Sequence, residues 1–101
     1  MPLFPSYTYP IGDGVMAFWL IRKDLRKEDQ WLLVMCGPGQ KDEIGFYGSP
    51  HDAAYAVAHF KTGNVGWDMM PEIRPDLAER VRRKSNLDVL KSWRRHDEGS
   101  P

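Results

Sequence analysis

The sequence predicts an α+β fold, in which a three-stranded antiparallel β-meander packs against one helix and is followed by two short C-terminal helices. Three apolar runs are separated by connections of only a few residues, and these suit antiparallel strands because parallel crossovers need a dozen or more residues. A clear helix start, Ser49-Pro50, follows the third run directly. The length of 101 residues, with 42% hydrophobic and 28% charged residues, is typical of one globular domain.

The first 14 residues are expected to form an arm rich in proline and aromatic residues. Three prolines exclude a helix and favour an extended chain, and Gly12-Asp13-Gly14 marks a turn. A single domain is then predicted over residues 15–96, with the meander and its helix at 15–63 and an irregular segment with basic helices at 64–96. Residues 97–101 are expected to be a frayed tail.

The three strands are predicted at residues 15–22, 31–36 and 44–47. The charged stretch at 24–30 is expected to be the first hairpin loop, and residues 37–43, which begin with Gly-Pro-Gly, the second. Apolar residues occupy nearly every position of the first two strands rather than alternate positions, so both faces of the sheet are predicted to be apolar.

The helix after the meander carries several start signals. Ser49 can cap the free amide groups, Pro50 suits the first helical position and Asp52 lies in the first turn. The helix is expected to run to about Thr62 and to end at Gly63-Asn64. Its spacing predicts a buried stripe of Ala53, Ala54, Val57, Ala58 and Phe60.

Residues 64–74 are expected to be irregular chain held by four apolar anchors, Trp67, Met69, Met70 and Ile73. A first C-terminal helix is predicted to begin at Pro75-Asp76. Its apolar phase breaks at residues 84–86, where a second short helix is predicted to start.

One helix can cover only one face of an apolar sheet, so the other face needs a different cover. The N-terminal arm, the C-terminal helices, a second copy of the chain and a partner protein are the alternatives. An apolar patch left exposed would mark an interaction surface. The sequence therefore predicts a small non-enzymatic interaction module that binds another protein or its own copy. The predicted interface residues are Met16, Phe18, Leu20, Trp31 and Leu33.

Nucleic-acid binding by the basic segment 74–96 is the alternative function. This segment carries eight Lys or Arg and three acidic residues, hence a net charge of +5 within a chain of net charge zero. Pairing with the acidic body of the chain, or a solvated helix surface, would also account for these charges. The candidate nucleic-acid contacts are Arg80, Arg82, Arg83, Lys84, Lys91, Trp93, Arg94 and Arg95.

Few residues suggest catalysis or a bound cofactor, and we expect no enzyme activity, no cofactor and no metal. His51 and His59 lie eight residues apart on the predicted helix, too far to share one zinc ion. Cys36 leaves a weak thiol-nucleophile alternative, but no catalytic motif flanks it and free cysteine usually packs as a small apolar residue. With no apolar run of membrane-spanning length and no leader pattern, the expected location is the cytoplasm.

Overall fold

A computed structural model describes residues 4–11, 17–24, 26, 29–83 and 89–97, together with the backbone of Lys84. In this part of the chain, five strands form one antiparallel sheet in the order β4-β3-β2-β1-β5, with four helical segments. The α+β class is confirmed, and the prediction of three strands is wrong. The elements are β1 Pro5–Pro10, β2 Phe18–Lys23, β3 Trp31–Gly37, β4 Gln40–Tyr47, α1 Pro50–Ala58, α2 Val65–Asp68, α3 Met70–Ile73, α4 Pro75–Lys84 and β5 Arg94–Asp97.

The predicted meander is present as β2, β3 and β4, which pair consecutively and antiparallel. Residues 40–43 were expected in a loop, but they pair with residues 34–37 of β3. The connection is only two residues long, because Gly39 adopts a φ of 74° that closes a tight turn. The polar side chains at 40–43 are exposed, as an edge strand allows.

The N-terminal segment is extended, as predicted, but it is a strand of the sheet rather than an arm. β1 lies between β2 and β5, with Tyr7 opposite Ile21 and Tyr9 opposite Trp19. Its two prolines, Pro5 and Pro10, occupy the first and last positions of the strand. Strand ends tolerate proline, since a missing N–H there removes the least from the ladder.

The C-terminal half departs furthest from the prediction. Residues 64–74 contain two one-turn helices, α2 and α3, instead of irregular chain. The first C-terminal helix is confirmed as α4, but the second is not found: residues 89–93 form turns and β5 begins at Arg94. Residues 85–88, where that helix was predicted to start, lie outside the described residues. Asp97, expected in the tail, is the last residue of β5.

Helix α1 begins as predicted, with Ser49 Oγ accepting a hydrogen bond from the Asp52 N–H at 3.1 Å. It ends at Ala58, four residues before the predicted end, because Phe60 turns the chain with a φ of 56°. The predicted stripe is buried in full: Ala53, Ala54, Val57, Ala58 and Phe60.

The main core lies between the helices and the sheet face that carries Trp19, Ile21 and Leu33, here called the helix-covered face. Trp19 contacts Trp67 edge to face at 5.5 Å between ring centroids. The Trp67 indole N–H donates to the Val57 carbonyl at 2.8 Å, which joins α2 to α1. None of the helices within the described ranges is long and apolar enough to cross a membrane.

Candidate functional site

The sheet has a second face, turned away from the main core. Strand pairing places Phe18 opposite Cys36 and Leu20 opposite Val34 on this face. Trp31 and Leu33 belong to the helix-covered face, where they pack in the main core. The four described residues of the predicted interface therefore do not share one face: the thickness of the sheet separates Phe18 and Leu20 from Trp31 and Leu33. Met16, also in that set, lies outside the described residues.

The centre of the second face is covered although no described helix lies over it. Leu32, Val34 and Cys36 are 0%, 3% and 3% exposed and form their own cluster with Leu20 and Phe46. Apolar side chains this deeply buried on a sheet surface need neighbours that exclude water. The neighbours come from the flanking strands and from the loop between β2 and β3.

A cluster of three charged residues, here called the Arg26 clasp, ties that loop to β4. The Arg26 guanidinium donates to the buried Asp24 carboxylate at 2.6 Å and to Glu43 at 2.9 Å. The same guanidinium lies 5.7 Å from the centroid of the Phe46 ring, which stands opposite Leu32 on the second face. The clasp thus extends over the β3–β4 half of this face.

The charge state of the clasp follows from its hydrogen bonds. The Arg26 side chain and backbone N–H both donate to Asp24, and these bonds lower the pKa of the Asp24 carboxyl to about 2. The same bonds, together with those to Glu43, raise the pKa of Arg26. Asp24 and Arg26 are therefore both charged at neutral pH.

The other half of the second face, formed by β1, β2 and β5, is left open by the residues that the structure describes. A shallow groove of about 510 Å³ lies there. Its lining residues come from these strands and from the turn before β5: Thr8, Pro10, Phe18, Ser92, Arg94 and His96. Phe18 is 36% exposed, so an apolar aromatic side chain is available at one side of the groove.

The groove has a polar side opposite Phe18. Arg94 is exposed and makes no ion pair in the part of the chain that the structure describes, and His96 Nε2 lies 2.9 Å from Thr8 Oγ1. No acidic side chain is among the six lining residues. The groove therefore combines an aromatic ring with an uncompensated cation, a pair suited to a ligand that is apolar at one point and anionic at another.

Most of the cations predicted to contact nucleic acid are engaged within the chain. Arg83 pairs with Glu79 at 3.4 Å, and Arg80 lies 3.9 Å from Asp76. The Arg82 guanidinium lies 5.6 Å from the Phe60 ring centroid. These ion pairs on α4 join neighbours one helical turn apart within the basic segment, and not the segment with the acidic body of the chain.

The rest of that predicted set does not form one surface. Trp93 is 8% exposed and packs on Tyr9 at 5.3 Å between ring centroids, so it is not free to stack on a base. Arg94 and Arg95 are adjacent on β5 and point to opposite faces, with Arg95 paired to Asp97 at 3.0 Å. Lys91 is exposed in the turn before β5, and the Lys84 side chain lies outside the described residues.

Two of the predicted apolar anchors are not buried. Met69 and Ile73 are 42% and 62% exposed, and with Val65 they form an exposed stripe at four-residue intervals along α2 and α3. Trp67 is buried and Met70 packs against the main core, as predicted. The sequence shows this four-residue spacing, which is typical of one face of a helix. The stripe was not predicted because the segment was expected to be irregular chain.

The residues considered for catalysis and metal binding are not brought together. Within the described ranges, no three His, Cys, Asp or Glu side chains are grouped closely enough to hold a metal ion. Cys36 is buried, as predicted, and burial raises the pKa of its thiol, which disfavours the nucleophilic thiolate. Comparison with known proteins finds no matching family model, curated protein or solved structure, so the function is inferred from the geometry of the groove.

Proposed function

We propose that this protein is a non-enzymatic interaction module whose groove on the second sheet face binds an extended acidic segment of a partner protein. One observation carries the proposal: Arg94, which is exposed and makes no ion pair with a described residue, shares with the exposed side chain of Phe18 a groove that no described acidic residue lines. Aromatic and arginine side chains are the residues that most often dominate the affinity of protein interfaces. The cytoplasm remains the proposed compartment, since the lone Cys36 allows no intramolecular disulfide.

The strand positions set the spacing that the ligand must match. Phe18 lies opposite Pro10, and Arg94 lies opposite Thr8, two residues further along β1. Two strand spacings of about 4.8 Å and one two-residue offset of about 6.8 Å separate the Cα atoms of Phe18 and Arg94 by about 12 Å. An extended peptide advances about 3.3 Å per residue, so its acidic and apolar side chains should lie about two to four positions apart.

Charge favours a peptide over a nucleic acid at this groove. A nucleic-acid strand needs a row of cations along its phosphates, and each phosphate contact adds to the salt dependence of binding. Among the described residues that line the groove, Arg94 is the one Lys or Arg, while Arg80, Arg83 and Arg95 are paired with acids elsewhere. One cation beside an aromatic ring suits a single carboxylate near an apolar side chain.

The experiment selects random heptapeptides on the immobilised protein and measures the affinity of a selected peptide by fluorescence anisotropy. We expect the selected peptides to carry Asp or Glu two to four positions from an aromatic or aliphatic residue. Replacing Arg94 with Gln removes a charge-assisted contact and should weaken binding about tenfold. Phe18→Ala should weaken binding comparably, because it removes the apolar side of the groove.

Arg83→Gln is the matched control, since it removes one exposed arginine that is already paired on α4. This variant should bind the selected peptide as the original protein does. A peptide pool without acidic residues, or equal binding by Arg94→Gln, would contradict the proposal. A thymidine oligonucleotide is tested in parallel at physiological salt: tighter, Arg94-dependent binding of the oligonucleotide would favour the nucleic-acid alternative instead.

A further inference from the structure

Strand β5 forms an open edge of the sheet. One side of β5 pairs with β1, and no strand pairs with its other side in the part of the chain that the structure describes. All four of its residues are exposed. The unpaired N–H and C=O groups of such an edge are a template for another strand.

The charges of β5 specify which strand would fit. Its sequence is Arg94-Arg95-His96-Asp97. Two copies of a strand can pair antiparallel about a two-fold axis normal to the sheet. Directly opposite residues then lie on the same face of the sheet, so one residue must lie at the axis, opposite the same residue of the other copy. With His96 on the axis, Arg95 of each copy lies opposite Asp97 of the other.

The other registers of the same pairing are unfavourable. An axis through Arg94, Arg95 or Asp97 places two identical charges directly opposite each other, which destabilises a pair of strands. Only the register centred on His96 joins opposite charges on both sides of the axis. The charge pattern of β5 is therefore complementary to itself in a single register.

We propose that two copies of this chain pair through β5 in this register and form one continuous ten-stranded sheet. The pairing goes beyond the proposed function, because it uses the edge of the sheet and not the groove. It also brings the two grooves together on the same face, with the two His96 Cα atoms about 5 Å apart. Each groove is then bordered by His96 of the second copy.

The opposite edge of the sheet is less suited to this pairing. β4 carries a bulge, seen as a register shift at Leu33 and Val34 of β3, and bulges protect edges from pairing. Because β5 is short, the dimer should be weak and should form only toward the upper end of a micromolar concentration series.

Sedimentation equilibrium over a concentration series from roughly 10 µM to 1 mM measures this association. The original protein should show a reversible monomer–dimer equilibrium. Arg95→Asp and Asp97→Arg each replace two attractive cross-strand pairs with two repulsive ones, and each should weaken self-association about tenfold or more. The double variant, with both substitutions, exchanges the charges and should restore the dimer.

Mixing the two single variants gives the sharpest test. Arg95→Asp makes the edge acidic and Asp97→Arg makes it basic, so the mixture should form a heterodimer although neither variant associates with itself. A charge exchange on α4, Glu79→Arg with Arg83→Glu, is the control and should leave the dimer unchanged. Circular dichroism checks that every variant is folded, and Arg95→Gln replaces Arg95→Asp if the latter unfolds.

Three results would overturn the proposal: a monomer at the highest concentration, a dimer that the single variants leave intact, or a mixture that stays monomeric. A monomer that still binds the selected peptides through Arg94 would overturn the dimer and leave the proposed function standing. A dimer that binds no acidic peptide would overturn the proposed function and leave the proposed dimer standing. The two proposals therefore fail independently.

Discussion

Replacing Leu32 with Ala tests whether the second sheet face is a true core. Leu32 is fully buried beneath this face, with Phe46 opposite it and the Arg26 guanidinium over that ring. Truncating a buried leucine costs about 2–5 kcal/mol, because transfer free energy is lost and a cavity remains. We expect about 3 kcal/mol, and since domains of this size lose about 4–8 °C per kcal/mol, the melting temperature should fall by roughly 12–24 °C.

Urea denaturation followed by tryptophan fluorescence measures this loss, with the m-value expected to stay unchanged. Leu20→Ala is the matched control: it is the same substitution on the same face, at a residue that is only partly buried. It should cost about 1 kcal/mol, in line with partial removal of apolar area from water. Equal and small losses for both variants would refute the inference that neighbouring side chains and the clasp cover Leu32.

Three further predictions test the clasp, the start of α1 and the place of Trp93. The pKa of Asp24, about 2, lies below the value of about 3.9 for an unfolded chain, so the clasp should stabilise the fold above about pH 4 and lose its effect as the pH falls toward 2. In Asp24→Asn, the urea midpoint should fall less steeply with decreasing pH over that range than in the original protein. Equal slopes for the two proteins would contradict a role of Asp24 in the pH dependence of stability. Ser49→Ala should lower the free energy of unfolding by about 1 kcal/mol, because the Asp52 N–H loses its acceptor; an unchanged urea midpoint would argue against the cap. Trp93→Ala should lower the free energy of unfolding by about 3–5 kcal/mol, as expected for a buried ring, and thermal or chemical denaturation measures this loss. A loss below about 1 kcal/mol would contradict the burial of Trp93.

The local elements of the fold could be predicted because their signals lie within a few residues of each other. The start of α1 is specified by Ser49, Pro50 and Asp52, and its buried stripe by small and apolar residues at helical spacing. The β2–β3 and β3–β4 hairpins follow from short connections between apolar runs. The end of α1 could not be predicted as well, since the left-handed conformation of Phe60 is unusual for a bulky residue.

The groove could not be predicted, because its residues come from segments far apart in the chain. Thr8 and Pro10 lie near the N-terminus, and Arg94 and His96 lie more than 80 residues later on β5. The alternation of Arg94 and His96 would have indicated one face of a strand, but strand formation there was not predicted. Phe18 was predicted as an interface residue and Arg94 as a nucleic-acid contact, and the structure brings the two into one groove.

By itself, the sequence determined the α+β class, the meander, the first helix and the existence of two apolar sheet faces. Only the tertiary structure decided how the second face is covered and where it stays open. The reason is that a strand has no internal hydrogen bonds, so β1 and β5 are stable only by pairing with each other and with β2. The same pairing decides the direction of each side chain, because the register of a strand assigns alternate residues to opposite faces. Arg94 therefore lies in the groove and its neighbour Arg95 on the other face, because residues 94–97 form a strand only by pairing with β1, far away in the sequence.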